Sequence, residues 1–278
     1  MKKIIVPVDF SEHSEYALET AAMLASRNDA ELLVLHMLEM SDNMLLDSDN
    51  EHNEKTVFFY KLAEKKFNEF LNKDYLKDIN VVPLVKHFKV FKEVSEVAEE
   101  HSADLIVMGS HGASGFSEIF VGSNTEKVVR HSEVPVLVIK TKPSSVNYKL
   151  VVFASDFTDE AIKPYVNASK MLETFDSEIH LLHVNVPGEK FKSTDEMEIT
   201  MTNFLEKADG NLNRLNAVHY VSDKSVEKGI LKYSKKVGAD LIVIPTHGRK
   251  GLAHFFQGSI SEDLANHAAL PVMTFKIK

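Results

Sequence analysis

The chain repeats itself. Ile4-Ile5-Val6-Pro7-Val8-Asp9-Phe10-Ser11 returns as Val151-Val152-Phe153-Ala154-Ser155-Asp156-Phe157-Thr158, which places Asp9 and Asp156 147 positions apart. The spacing holds at Leu32-Leu33-Val34-Leu35-His36-Met37 against Ile179-His180-Leu181-Leu182-His183-Val184. Further on, Ala103-Asp104-Leu105-Ile106-Val107-Met108 recurs as Ala239-Asp240-Leu241-Ile242-Val243-Ile244 at a spacing of 136, so the second copy has lost 11 residues, expected in the polar stretch 41–55. Self-similarity over most of the length means one structural unit built twice. The polar, proline-containing stretch Thr141-Lys142-Pro143-Ser144-Ser145-Val146-Asn147 reads as the linker, giving domains 1–142 and 147–278, each long enough to bury its own core.

Within each copy, short β-branched runs alternate with longer helical patterns, the signature of βαβ units around a mainly parallel sheet covered on both faces. The fold class is therefore α/β, two tandem five-stranded, mainly parallel sheets flanked by helices. Strands are expected at 3–9, 31–38, 81–87, 104–109 and 135–139, with helices at 54–72, 91–100 and 123–131. Ser11 caps a further helix running to Arg27, whose Ala17, Leu18, Ala21, Ala22, Leu24 and Ala25 form an apolar stripe. Residues 41–54 read as a solvated loop, with a lid as the alternative, and Phe58-Phe59-Tyr60, Phe67 and Phe70 as mostly core.

Composition removes several functions. With no cysteine, the chain has no disulfide framework, thiolate metal site or cysteine nucleophile, which fits a cytoplasmic protein. A formal charge of −9 disfavours broad contact with nucleic acid or anionic lipid. Ile4 to Val8 is too short for a signal sequence, and no apolar run approaches the roughly 18 residues of a membrane span. The 13 histidines include matched pairs, His36 with His183 and His111 with His247, but no i, i+4 pair backed by carboxylates, so structural roles are expected rather than a metal site.

Glycine is sparse, yet four of the 11 fall between Gly109 and Gly122 and three more between Gly248 and Gly258, each group directly after an expected strand. Ligands of open parallel sheets bind beyond the carboxyl ends of strands. The spacing Gly109-x2-Gly112-x9-Gly122-Ser123, with Gly115 between, leads into a short helix opening Ser123-Asn124. Residues without Cβ let backbone N–H groups converge on phosphate oxygens, and the helix start adds unpaired donors. A plain tight connection is the simpler alternative for one glycine pair. Against it, Gly248-x9-Gly258-Ser259 repeats the frame, and each copy ends its first strand in Asp.

This combination resembles the universal stress protein family, whose ATP-binding members carry G-x2-G-x9-G-S/T after the fourth strand and an Asp after the first. The likeness spans essentially the whole chain, as two tandem domains of a Rossmann-like, adenine nucleotide alpha hydrolase-like fold. It implies that Asp9 contacts the ribose or adenine end, that Met37 offers backbone to the base, and that Gly109, Gly112, Gly122 and Ser123 hold phosphates, with His111, Gly115 and Asn124 beside them. Bottom-up, Asp9 could instead cap the following helix. The ligand implied is ATP, with AMP or ADP as alternatives and Mg²⁺ carried by phosphates and water.

In the second copy Pro245 stands where Gly109 stands in the first and removes one N–H. Asp156, Val184, Gly248, Gly258 and Ser259 remain as a weaker site, so one nucleotide per chain is expected, in the first domain. Residues 110–121 hold no Lys or Arg to stabilise phosphoryl transfer, and Asp9-Phe10-Ser11-Glu12-His13-Ser14 lacks the H-x-G-H or S-G-G-x-D-S patterns resembling nucleotidyl transferases and ATP pyrophosphatases. Binding without turnover is the expectation. The alternatives are a ligand-free protein-interaction module and a slow ATPase. Each domain closes on an apolar strand, 134–140 and 271–277; the resemblance implies pairing through it, here inside one chain as a pseudo-dimer open to further dimerisation.

Overall fold

The computed structural model describes residues 1–38, 49–87, 90–110, 123–188, 191–246 and 270–277. The chain divides into two compact units between Val146 and Asn147. The first runs β1 (Lys3–Val8), α1 (Glu12–Asn28), β2 (Glu31–Leu38), α2 (Asp49–Phe70), β3 (Val81–His87), α3 (Val90–Glu100), β4 (Leu105–Gly109), α4 (Ser123–His131) and β5 (Val136–Ile139). Its strands are parallel in the order β3-β2-β1-β4-β5. The second runs β6 (Leu150–Ala154), α5 (Ile162–Glu173), β7 (Glu178–Asn185), α6 (Thr194–Asp209), β8 (Val218–Ser222), α7 (Val226–Val237), β9 (Leu241–Thr246) and β10 (Val272–Lys276), parallel in the order β10-β9-β6-β7-β8. The α/β class read from the alternating pattern is thus the observed one.

Local chemistry sets the boundaries. Ser11 is extended and its side chain accepts from the Ser14 N–H, which starts α1; Asp29, left-handed at φ 49°, ends it. All six residues of the expected apolar stripe are buried against the sheet. In the second unit α6 opens on a capping box in which the Ser193 and Glu196 side chains satisfy each other's main-chain N–H groups. Those bonds hold the Glu196 carboxyl below the ordinary carboxylate value. Left-handed residues recur at matching turns, Asp29 with Asp176 and Ser102 with Gly238, so the duplication extends to backbone conformation.

Three expectations are corrected. Helix α2 starts at Asp49 rather than Glu54, so it takes in residues that the sequence assigned to the loop. Its aromatics divide between faces: Phe67 and Phe70 are buried with Ala63, whereas Phe58 is 63% exposed and Tyr60 39%. The reason is the 3.6-residue period, which aligns 63, 67 and 70 and turns 58 and 62 away. The linker, finally, is not wholly solvated, since Val146 is buried and its carbonyl accepts from Arg27 Nη1 at 3.0 Å.

Candidate functional site

After β1 the chain fills the sheet on one side with β2 and β3, then crosses to the other side of β1 with β4. The reversal between β1 and β4 is a topological switch point, where the two flanking connections leave in opposite directions and open a crevice past the carboxyl ends. Register shows which residues meet there. Val8 pairs with His36 across β1 and β2, and Ile5 with Ile106 across β1 and β4. Asp9 directly follows Val8 at the end of β1, Met37 follows His36 on β2, and Ser110 follows Gly109, the last residue of β4.

A proline opens the seam. The β1–β4 ladder spans Ile4↔Leu105 and Ile5↔Ile106 and goes no further among the described residues. Ladder alternation aims the next β1 donor toward β4 from position 7, and Pro7 has no N–H to give. In the second unit the β6–β9 ladder ends at Phe153↔Val243. The same alternation, anchored by the Ile242 N–H bond to Pro271, aims the Pro245 position at β6. Pro245 lies within β9, paired with Phe275, rather than in the following loop as the sequence suggested. Central strands ordinarily exclude proline; here each stands where two strands part.

Asp9 does not cap α1; Ser11 does. The Asp9 carboxylate oxygen Oδ1 accepts from the Ser11 N–H at 3.0 Å, bracing the turn between strand and helix. Asp156 repeats this on Thr158, accepting its N–H at 3.3 Å and its hydroxyl at 3.2 Å. Between acid and cap lies a residue the sequence did not single out. Phe10 is left-handed at φ 65°, and its counterpart Phe157 at φ 55°. A bulky residue there is strained by roughly 1–3 kcal/mol and persists only where packing dictates it. The Phe10 ring lies 4.4 Å from His36, 5.3 Å from Phe67 and 5.4 Å from Phe70, centroid to centroid. Phe157 repeats the arrangement on His183 and Phe204. The repeated Asp-Phe-Ser/Thr was the available signal.

His36 is locked from behind. Its Nδ1 lies 2.8 Å from the Val8 carbonyl, which can only accept, so Nδ1 carries the proton. Burial lowers its pKa, the Val8 bond opposing and Lys66 reinforcing that shift. Met37 is buried beside it. By ladder alternation its carbonyl faces β1, past that strand's last residue.

Gly109 closes β4, and a Cβ there would stand 2.6 Å from the His13 carbonyl oxygen in the first turn of α1. Its carbonyl accepts from the buried Thr125 hydroxyl of α4 at 2.9 Å. Gly109 therefore serves close packing of two helix starts onto the strand end, a demand the phosphate argument overlooked. Thr125 was likewise missed; only its place two residues past Ser123 pointed to it. Ser123 and Asn124 open α4 as expected. His111, Gly112, Gly115 and Gly122, and Gly248, Gly258 and Ser259 of the second copy, lie outside the described residues. Asp156 is exposed after β6, and Val184 is buried on β7 with its methyls filling the space left by Gly229. Among the described residues no three His, Cys, Asp or Glu side chains gather as a metal site, and no helix is long and apolar enough to cross a membrane.

The sequence profile of the universal stress protein family matches residues 1–140 and again 147–276. The chain belongs to the universal stress protein family. Relatives match one domain at a time: a universal stress protein of Methanocaldococcus jannaschii is 33% identical over 162 residues, 51% of this chain and 97% of its own length. A putative universal stress protein of Staphylococcus aureus is 29% identical over 144 residues, 51% of this chain and 85% of its own. The tandem arrangement has a structural counterpart in a universal stress protein of Archaeoglobus fulgidus, superposing with a TM-score of 0.65 over 99% of this chain and 96% of that one, at 24% identity. That likeness establishes the fold.

Proposed function

We propose that the first unit binds an adenine nucleotide without turning it over. The observation that supports this is the switch point between β1 and β4, with Asp9 directly after β1, Met37 near the end of β2 and Gly109 at the end of β4. Asp9, braced by the Ser11 N–H, presents its carboxylate toward the ribose. Met37 offers main chain to the base. Gly109, His111, Gly112, Gly115, Gly122, Ser123 and Asn124 surround the phosphates, where missing side chains and the α4 start favour anions. Mg²⁺ would arrive on the phosphates of ATP, with water completing its shell.

Turnover is not part of the proposal, because residues 110–121 hold no Lys or Arg to meet charge developing on a transferred phosphoryl group. The unit acts instead as a nucleotide-responsive element in a stress response, its occupancy read by a partner protein. The second unit, with Asp156, Val184, Gly248, Gly258 and Ser259, is a weaker site because Pro245 removes a donor. Asp9→Asn tests the reading: its amide oxygen can still accept from Ser11, so the turn survives while the charge goes. Titration of the full chain with ATP should then show at least tenfold weaker binding at unchanged thermal stability; unchanged affinity would refute the assignment.

A further inference from the structure

The outer edge of the second unit differs from that of the first in two respects that agree, and a cavity lies beside it. Among the described residues, strand β8 ends its unit's order and pairs only with β7. The Asp223 N–H bonds the Asn185 carbonyl, so by alternation Val218, Tyr220 and Ser222 turn their N–H and C=O groups away from β7. In the first unit β3 occupies the equivalent place, and the registers Val34↔Pro83 and Leu181↔Val218 set Pro83 opposite Val218. That edge is blunted by a residue without an N–H, a common protection against strand pairing. The β8 edge keeps its donors.

The helix beside each edge has also changed sign. In α7, Lys232 and Lys236 stand where α3 has Glu96 and Glu100, and Lys224, Lys228 and Lys235 add positive charge against Asp223 and Glu227. In a chain of net charge −9 this is a local basic face. A cavity of about 480 Å³ lies between β8 and α7, lined by β8 from Val218 to Asp223 and by Gly229, Lys232, Tyr233 and Lys236 of α7. Those α7 positions follow helical spacing and form one face. His219 packs on Tyr233 at 5.3 Å between centroids, so the side chains of His219 and Val221 share the α7 side of β8.

We propose that β8 is an open strand-addition edge, taking an extended acidic segment of a partner protein whose alternate carboxylates meet Lys232 and Lys236. Side chains two apart on one face of a strand are separated by roughly 6.6 Å, and i, i+4 positions on a helix by about 5–6 Å, so the two rows match. Main-chain bonds to Tyr220 and Ser222 give affinity, and the lysines select charge. Lys232 already donates to Asp223 at 2.6 Å, but its side chain is 70% exposed and an ammonium has two further donors.

The test uses the full chain and a labelled, blocked peptide of about eight residues alternating valine and glutamate. The expected result is saturable binding with slowed hydrogen exchange at the Tyr220 and Ser222 amides. The double variant Lys232→Glu, Lys236→Glu, both exposed positions, should weaken binding at least tenfold. Ser222→Pro should weaken it too while leaving the β7 ladder, because the N–H it removes points outward. Equal binding of a peptide with its carboxylates side by side, an unaffected double variant, or competition by inorganic phosphate without amide protection would each overturn the proposal, the last by making this a small-anion pocket.

Discussion

A methyl group at Gly109 would stand 2.6 Å from a main-chain oxygen that no rotamer can move. Gly109→Ala should therefore push the first turn of α1 off β4 and destabilise the protein by about 1–3 kcal/mol in denaturant unfolding, before any nucleotide is added. Full stability would show that α1 yields and that the glycine serves only the ligand. His36 gives a second expectation. Burial holds its folded-state pKa below 6.5, so the neutral ring stabilises the fold above pH 6.5, and that contribution fades as pH falls toward the folded-state value. Unfolding measured from pH 7.5 to 5.5 should show stability declining with acid, and less steeply in His36→Phe; His183 and His219 share the direction and keep part of the slope. An identical slope in the variant would exclude His36. At this scale Asp9 and Gly109 stood out because charge and a missing side chain leave a mark in residue type, and the structure places each at a strand end, Asp9 bracing the Ser11 turn and Gly109 packed on His13. Phe10 did not stand out, because nothing in a phenylalanine announces a positive φ; only packing on His36, Phe67 and Phe70 imposes it.

Elements were legible where period and cap agreed. The α1 stripe and the Ser11 cap fixed that helix to within a residue, and the strands of the first unit fall where β-branched runs stand. Helix α2 was harder, because its apolar residues exceed what one face can bury. Val57, Phe58, Tyr60 and Leu62 are exposed while Ala63, Phe67 and Phe70 reach the core. The two faces should separate cleanly on substitution. Phe67→Ala removes a ring packed against Phe10 and should lower stability by about 3 kcal/mol, whereas Phe58→Ser should stay within about 0.5 kcal/mol. Comparable losses in both, read from chemical denaturation midpoints, would mean that Phe58 is covered in solution. Pro7 and Pro245 belong to this scale too: the sequence put Pro7 in the first strand and Pro245 in a loop, and each sits in a central strand where the ladder is already ending.

At the scale of the molecule, duplication supplies an internal control. Both units have a switch point, an Asp that braces the turn and a left-handed Phe, so the scaffold of the crevice has been kept twice. What differs is the strand end, Gly109 against Pro245, and the outer edge, Pro83 and an acidic α3 against an open β8 and a basic α7. The two proposals together give a common scaffold with divided tasks, nucleotide in the first unit and partner contact in the second. The repeat made the architecture legible, whereas the division needed strand order and register, which no local pattern contains. The central claim is most directly tested by calorimetric titration of the full chain with ATP. The account predicts one site per chain, weakened at least tenfold by Asp9→Asn and untouched by Asp156→Asn; two equivalent sites, or no heat of binding at millimolar nucleotide, would contradict it.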